Sequence, residues 1–441
     1  MRKIVAAVLA AVILILPLSG CRISDEQAAR AFMGLAEPPY DYDKAAYTVA
    51  SAARCNMTAA FLESVIGKDV TKELVAEIEN GRYSDDLWLE KAGFSYNVMK
   101  DLLNGTIEAE NISYFGDNGK DSFTVSFAGD ILFDSDFNPM YHAKVKGGVL
   151  NCIDGETINY LRTRDIFLIN NEFTYGKRGA PLSGKTWTFQ ADPSTVNLLK
   201  DMGADIVSLA NNHVYDYGEI GFKDTMAVLD EAGIPYVGAG MNLGEAAEGH
   251  FFVINGIKVG IVAASRAEKV PFTPIADYNT PGVMGTYNSE DFLKAVTFAK
   301  SQCDYLVAYV HWGTENSTKL ETAQTEMARK YIDAGVDAVI GGHTHCLQGM
   351  EFYNGKPIVY SVGNFWFNSK NLDSCVITIE LDKQMNSKIS ILPLKQQNCE
   401  TRLLTGKDAR ALFDRVESYE PQGVTILDDG TITPATKTEN N

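Results

Sequence analysis

The chain is 441 residues long, 45% hydrophobic and 22% charged, with a formal net charge of −18 at pH 7. That composition is ordinary for globular protein and sufficient for one large α/β domain with a smaller appendage. An acidic chain with no visible Lys/Arg stripe argues against nucleic acid and anionic lipid headgroups as partners, because both are held by neutralising phosphate.

Residues Met1–Cys21 open with Arg2 and Lys3, continue as an apolar run from Ile4 to Leu18, and close on Leu18-Ser19-Gly20-Cys21. The run is shorter than the roughly 20 residues of a spanning helix, so it reads as a secretory signal. Its ending resembles a bacterial lipobox, with Cys21 as the lipidated first residue of the mature chain; an uncleaved N-terminal anchor is the alternative. Either way the globular part is expected outside the cytoplasm, tethered to the cell membrane. The other cysteines, Cys55, Cys152, Cys303, Cys346, Cys375 and Cys399, are scattered and form no CxxC pair, so neither a zinc finger nor a dense disulfide framework is indicated.

From Arg22 to Lys120 apolar residues recur at helical spacing, as in Val70–Glu79 and Asp85–Leu103, which predicts a small helical N-terminal region closed by the turn-rich stretch Asn111–Lys120. From residue 121 to 395 strands alternate with helices. Ser122–Ala128, Ile166–Asn170, Ile206–Ala210, Tyr305–Val310, Ala338–Ile340 and Ile358–Ser361 read as strands. Pro193–Met202, Ile220–Ala232, Glu290–Gln302 and Ala323–Ala334 read as helices. Phe251–Ile254 and Lys258–Ala264 predict a hairpin turning at Asn255-Gly256, and Ser374–Leu381 with Lys388–Leu394 predict closing antiparallel strands. Residues 396–441 read as a C-terminal extension and tail.

Five of these strands end in residues able to bind metal: Asp130; Glu172; Asn212 beside His213; His311; and His343 with His345. The crevice outside the carboxyl ends of strands is where α/β sheets build sites. In the last of them, GGHTH, Gly341 and Gly342 are expected to let the backbone turn sharply, and the spacing of the histidines to aim both rings at one metal centre. Two carboxylates, an amide oxygen and three imidazoles suit Mn²⁺, Fe²⁺ or Zn²⁺ better than Mg²⁺ or Ca²⁺. More than four ligands implies two ions sharing a carboxylate, for which Glu172 is the natural bridge; such a pair clamps both oxygens of a phosphoryl displacement. His213 is then free to protonate the leaving group.

The ordered set FAGDIL at Phe127–Leu132, NNEF at Asn170–Phe173, FQADP at Phe189–Pro193, SLANNHVYDYG at Ser208–Gly218, YVGAG at Tyr236–Gly240, HWGTE at His311–Glu315, GGHTH at Gly341–His345 and YSVGNF at Tyr360–Phe365 resembles the CapA family of capsule and poly-γ-glutamate biosynthesis proteins. That family is related to the calcineurin-like metallophosphoesterases. The resemblance implies an α/β fold, a four-layer α/β/β/α sandwich, with Asp130, Glu172, Asn212, His311, His343 and His345 around one or two divalent metals and His213 as the candidate acid. Asp216 is positioned to hold His213 in one tautomer, or is a plain turn residue. Glu315 either orients His311, touches substrate or is an exposed loop acid, and Asn364 lines the cleft. The chain departs from ordinary metallophosphoesterases in lacking a D-x-H histidine, since Asp130 is followed by Ile131-Leu132. Arg162, Arg164 and Arg266 are the candidates for a basic residue absent after that strand. Trp312, Phe365 and Trp366 read as core or cleft wall rather than sugar platforms, Cys346 as a small buried residue, and His142 and His250 as surface or hairpin histidines.

The function implied is that of an exported lipoprotein with a metal-dependent hydrolase or transferase domain, acting in capsule or poly-γ-glutamate synthesis, export or attachment. Its partners would be envelope polymer synthase components, and its substrate an acidic polymer or a phosphoester. A non-catalytic scaffold subunit of such a synthase and a generic envelope phosphodiesterase are the alternatives.

Overall fold

In the computed structural model, residues 111–116, 118–267 and 272–435 are described. The signal segment with Cys21 and the helical region up to residue 110 lie outside the described residues. Ile112–Gly116 (β1) is a strand rather than part of a turn-rich boundary. Its β-branched and aromatic residues suit a pleated surface, and Phe115 packs its ring 5.3 Å from that of Phe252. The described residues contain no helix long and apolar enough to cross a membrane.

The chain divides into two units. One takes in Ser113–Ala239, Gly249–Ile275 and Gly282–Asn441. Of the other, residues 240–248 and 276–281 are described in full; there the Asn242 side chain caps the short helix Leu243–Ala247 by accepting from the Glu245 N–H.

The first unit holds two sheets. In one, β2 (Ser122–Ile131), β3 (Ile166–Asn171), β4 (Ile206–Ser208) and β5 (Tyr236–Val237) run parallel in that order. Their near-continuous apolar runs are what burial on both faces requires. The crossovers between them carry α1 (Asn138–Lys146), α2 (Gly155–Arg162), α3 (Asn197–Met202) and α4 (Gly218–Ala232). Asp154 starts α2 by accepting from the Glu156 and Thr157 N–H groups, two donors that have no partner inside the helix.

In the other sheet β6 (His250–Ile254) and β7 (Ile257–Ser265) form the expected hairpin, turning at Asn255 (φ 53°) and Gly256 (φ 76°). Beside it run β8 (Tyr305–His311) and β9 (Ala338–Gly342), parallel to β7. Helix α5 (Glu290–Lys300) packs on β7 and β8, and α6 (Thr322–Asp333) on β9. β10 (Met350–Tyr353) and β11 (Lys356–Val359) complete this sheet, β11 lying beside β9. The two sheets share one core, in which Val125, Phe127 and Leu168 of the first meet Ile261, Val307, Tyr309 and Ile340 of the second. This is the α/β/β/α sandwich.

β12 (Asn364–Trp366) lies against the end of β2, and β13 (Leu372–Asp382) continues the first sheet antiparallel to β2, followed by β14 (Ser387–Gln397). The stretch read from sequence as an extension adds β15 (Glu400–Leu403), β16 (Val424–Ile426) and β17 (Thr431–Pro434) to the same sheet, and α7 (Gly406–Ser418) packs on β14 and β16. Leu412, Phe413, Val416, Ile426 and Ile432 from that stretch belong to the shared core.

Asp205, just before β4, accepts from the Phe167 N–H at 2.8 Å, and burial pushes its carboxyl up to about 7. In an unfolded chain the same group titrates near 4. The folded chain therefore keeps the proton longer, and stability is expected to fall as pH rises from about 4 to 7. Asp205→Asn keeps the acceptor and removes the titration. Unfolding followed from pH 4 to 8 should show the variant gaining on the parent, by on the order of 1 kcal/mol or more at pH 8; parallel curves would refute this.

Candidate metal centre

Gly341 and Gly342 do not make the turn expected of them; both are extended residues of β9. They are glycines because other atoms come too close for a Cβ: one on Gly341 would lie 1.9 Å from the Tyr360 carbonyl oxygen, and one on Gly342 would lie 2.7 Å from the Tyr309 hydroxyl. The turn is made by the histidines themselves, His343 at φ 88° and His345 at φ 58°. Non-glycine residues held in that region store strain, which persists where the surroundings over-determine the backbone, as at functional sites.

The two rings therefore do not converge on one point, as the sequence spacing suggested. Their centroids are 6.3 Å apart, and each joins a different group. Glu172, His311 and His343 place ligand atoms within 4.8 Å of one another, and so do Asp130, Glu172 and His345. Glu172 is common to both groups. Within the first, His343 Nδ1 is 3.2 Å and Asn212 Oδ1 is 2.9 Å from His311 Nε2. Within the second, His345 Nδ1 lies 3.1 Å from Asp130 Oδ2 and 2.8 Å from Asn364 Oδ1. Asn364 thus touches a candidate ligand directly.

The donor chemistry fits divalent metal. Glu172 Oε1 is buried without a hydrogen-bond partner, 3.5 Å from His311 Nε2; an orphaned buried acceptor of this kind is costly. Burial pushes His311 down to about 3, and burial together with the charge of neighbouring imidazoles holds His343 well below the ordinary range. Both rings are therefore neutral, which is the ligating form. Burial and then the charge of Asp130 hold Glu172 well above the usual carboxylate range. Burial alone would lower His345 and raise Asp130, but their mutual hydrogen bond and charges reverse both directions.

Asn170 has no role in the sequence reading, although it stands in the NNEF motif. Its Nδ2 donates to Asp130 Oδ1 at 2.7 Å and to Glu172 Oε2 at 3.3 Å, while its Oδ1 accepts from Asn211 at 3.1 Å. That network fixes the amide's orientation and ties the two carboxylates together.

Beside these groups, His213 Nδ1 is hydrogen-bonded to Asp216 Oδ2 at 2.7 Å. Asp216 also accepts from the Phe189 N–H at 2.8 Å and pairs with Lys185 Nζ at 2.8 Å. Lys185, which donates in addition to the Asn212 carbonyl, is the cation at this site. The arginines proposed for that role sit elsewhere: Arg162 donates to the Asp201 carbonyl, Arg164 stacks on Tyr160, and Arg266 lies over Tyr287.

Glu315 is exposed and makes no hydrogen bond to His311 among the described residues; its charge acts on Glu172 and His345 from the rim. Trp312, Phe365 and Trp366 are fully buried core. Cys346 is only half-buried and lies outside both groups. His250 is a hairpin histidine, the first residue of β6, and is buried against Ser113, while His142 contacts Glu400.

Residues 124–369 match the family described as bacterial capsule synthesis protein PGA_cap. The chain is 29% identical over 296 residues to the PGA biosynthesis protein CapA of Bacillus subtilis (strain 168), covering 66% of this chain and 75% of that protein. To the capsule biosynthesis protein CapA of Bacillus anthracis it is 32% identical over 228 residues, covering 50% and 55%. To a probable polyglutamine synthesis accessory protein of Mycobacterium tuberculosis it is 32% identical over 208 residues, covering 45% and 55%. The chain thus spans only a little over half the length of the last two relatives.

Proposed function

The chain belongs to the bacterial capsule synthesis protein family PGA_cap, and from that membership we propose that it is an exported lipoprotein, anchored to the cell membrane through Cys21. Its sandwich domain is a metal-dependent hydrolase or transferase acting in the synthesis, export or attachment of capsule or poly-γ-glutamate, alongside components of the polymer synthase. The observation that carries this reading is the pair of buried residue groups sharing Glu172.

Asp130, Glu172 and His345 would hold one ion, and Glu172, His311 and His343 the other, with the Asn212 amide oxygen beside His311. The mixture of carboxylate and imidazole suits Mn²⁺, Fe²⁺ or Zn²⁺. Such ions, when bound, supply Lewis-acid polarisation and an activated water. The chain's own residues do the rest. Asp216 fixes His213 through Nδ1, which leaves Nε2 to give a proton to the leaving group. Lys185 offsets the charge of Asp216, and Asn170 sets the spacing of the two carboxylates.

A scaffold role is favoured by one observation: Ile131 and Leu132, where a D-x-H histidine would begin, are buried core residues. Metal content by mass spectrometry on the full chain in detergent, paired with turnover of phosphoester reporters and γ-glutamyl polymers, separates the readings. His213→Ala is expected to lower turnover by about 10²- to 10⁴-fold with metal content unchanged. Failure to take up either Mn²⁺ or Zn²⁺ would sink the enzyme reading; metal without turnover would leave the scaffold.

A further inference from the structure

A line of aromatic rings runs from the candidate metal centre to the surface. Phe367 stacks on His345 with centroids 4.7 Å apart and planes at 26°. Phe189 meets Phe367 edge-on at 5.6 Å and lies 4.4 Å from the His213 ring. Phe137 meets Phe189 edge-on at 4.8 Å, and Trp187 follows Phe137 at 6.2 Å. The outer end is open: Trp187 is 61% exposed, and Tyr141, one turn beyond Phe137, is 70% exposed. Phe367 and Phe189 are themselves buried, 6% and 5% exposed, so the accessible part of the line is Trp187 with the partly exposed Phe137 beside it, two adjacent rings that offer a stacking surface.

The run is also held in place. The segment bearing Trp187 is pinned on both sides to Asp216, by the Leu182 N–H to its carbonyl at 2.9 Å and by the Phe189 N–H to its carboxylate at 2.8 Å. Every cation of this segment is already paired: Lys177 with Asp192 at 2.9 Å, Arg178 with Asp224, and Lys185 with Asp216 at 2.8 Å. Asp134 accepts from the Gln190 N–H at 2.7 Å, next to Phe189, and Asp136 precedes Phe137. A polyanionic strand laid along Trp187 and Phe137 would meet the exposed Asp136 and the already paired cations of this segment. A neutral pyranose would not be repelled, and its C–H groups complement the negative face of an aromatic ring.

We propose that Trp187 and Phe137, backed by the buried Phe189, form a subsite for the hexose units of a neutral glycan that leads toward the centre formed by Asp130, Glu172, His311, His343 and His345. The proposal rests on the hydrolase or transferase reading for its purpose, but binding tests it independently of turnover.

The test is calorimetric titration of the full chain in detergent with an N-acetylglucosamine tetrasaccharide and, separately, a γ-glutamyl tetrapeptide. Saturable binding of the saccharide is expected, weakened about ten-fold in Trp187→Ala and in Phe137→Ala and largely kept in Trp187→Phe. Absence of saccharide binding, binding unchanged in Trp187→Ala, or tighter binding of the γ-glutamyl peptide would overturn the subsite. Saccharide binding without turnover in the metal-loaded chain would retain the subsite and count against the enzyme reading alone.

Discussion

Glu172→Ala is expected to strip both ions from the centre, whereas His343→Ala or His345→Ala should each leave one. Glu172 is the residue shared by the two groups, and its Oε1 has no hydrogen-bond partner. Loss of a residue that only orients a ligand typically costs 10- to 100-fold in metal affinity, so loss of the shared ligand should cost more than about 100-fold at both positions. Mass spectrometry on protein equilibrated with Mn²⁺ or Zn²⁺ gives the stoichiometry directly. One ion retained at parental affinity in Glu172→Ala would show that the groups do not share a carboxylate.

The second large effect is expected at Gly129, one residue before Asp130 in β2. A Cβ there would fall 1.7 Å from the Gly363 carbonyl oxygen and 2.8 Å from its carbon. These are backbone atoms and have no rotamer to move into, while the adjacent Asp130 N–H donates to the same oxygen at 3.3 Å. Gly129→Ala should therefore cost about 3 kcal/mol or more, read by urea unfolding, or prevent accumulation of folded protein. Gly155→Ala, at the first turn of α2 with nothing within 4 Å, is the matched control and should be neutral or stabilising. Equal stability of the two variants would contradict the close approach of β2 to Gly363.

Much of the fold is legible in the chain because buried parallel strands are written as apolar runs and because Asn255-Gly256 permits little but a tight hairpin. The candidate ligands are legible for a related reason: a polar residue directly after such a run lies at the mouth of the sheet. What contacts it there is not written locally. Gly341 and Gly342 signal a turn by type, yet their reason is the approach of Tyr360 and Tyr309 from elsewhere in the fold. The spacing of His343 and His345 could not show that a left-handed backbone would send the two rings to separate groups. Lys185 lies between motifs, and only the folding of its segment onto Asp216 brings it to the site; its one local signal is its closeness to FQADP. The same segment carries the exposed Trp187, whereas Trp312 inside HWGTE and Trp366 directly after YSVGNF are core.

Asp130 lies in, and Glu172 and Asn212 follow, strands of one sheet, whereas His311 ends a strand of the other and His343 and His345 follow one. Ions held in common would rivet the two faces of the sandwich, making occupancy a part of the folding equilibrium. A ligand bound only by the folded state adds about 2.7 kcal/mol at a free concentration 100 times its Kd, a sizeable share of the 5–15 kcal/mol typical of a folded domain. Metal supply would then govern how long each copy of this protein survives proteases, quite apart from any reaction it carries out.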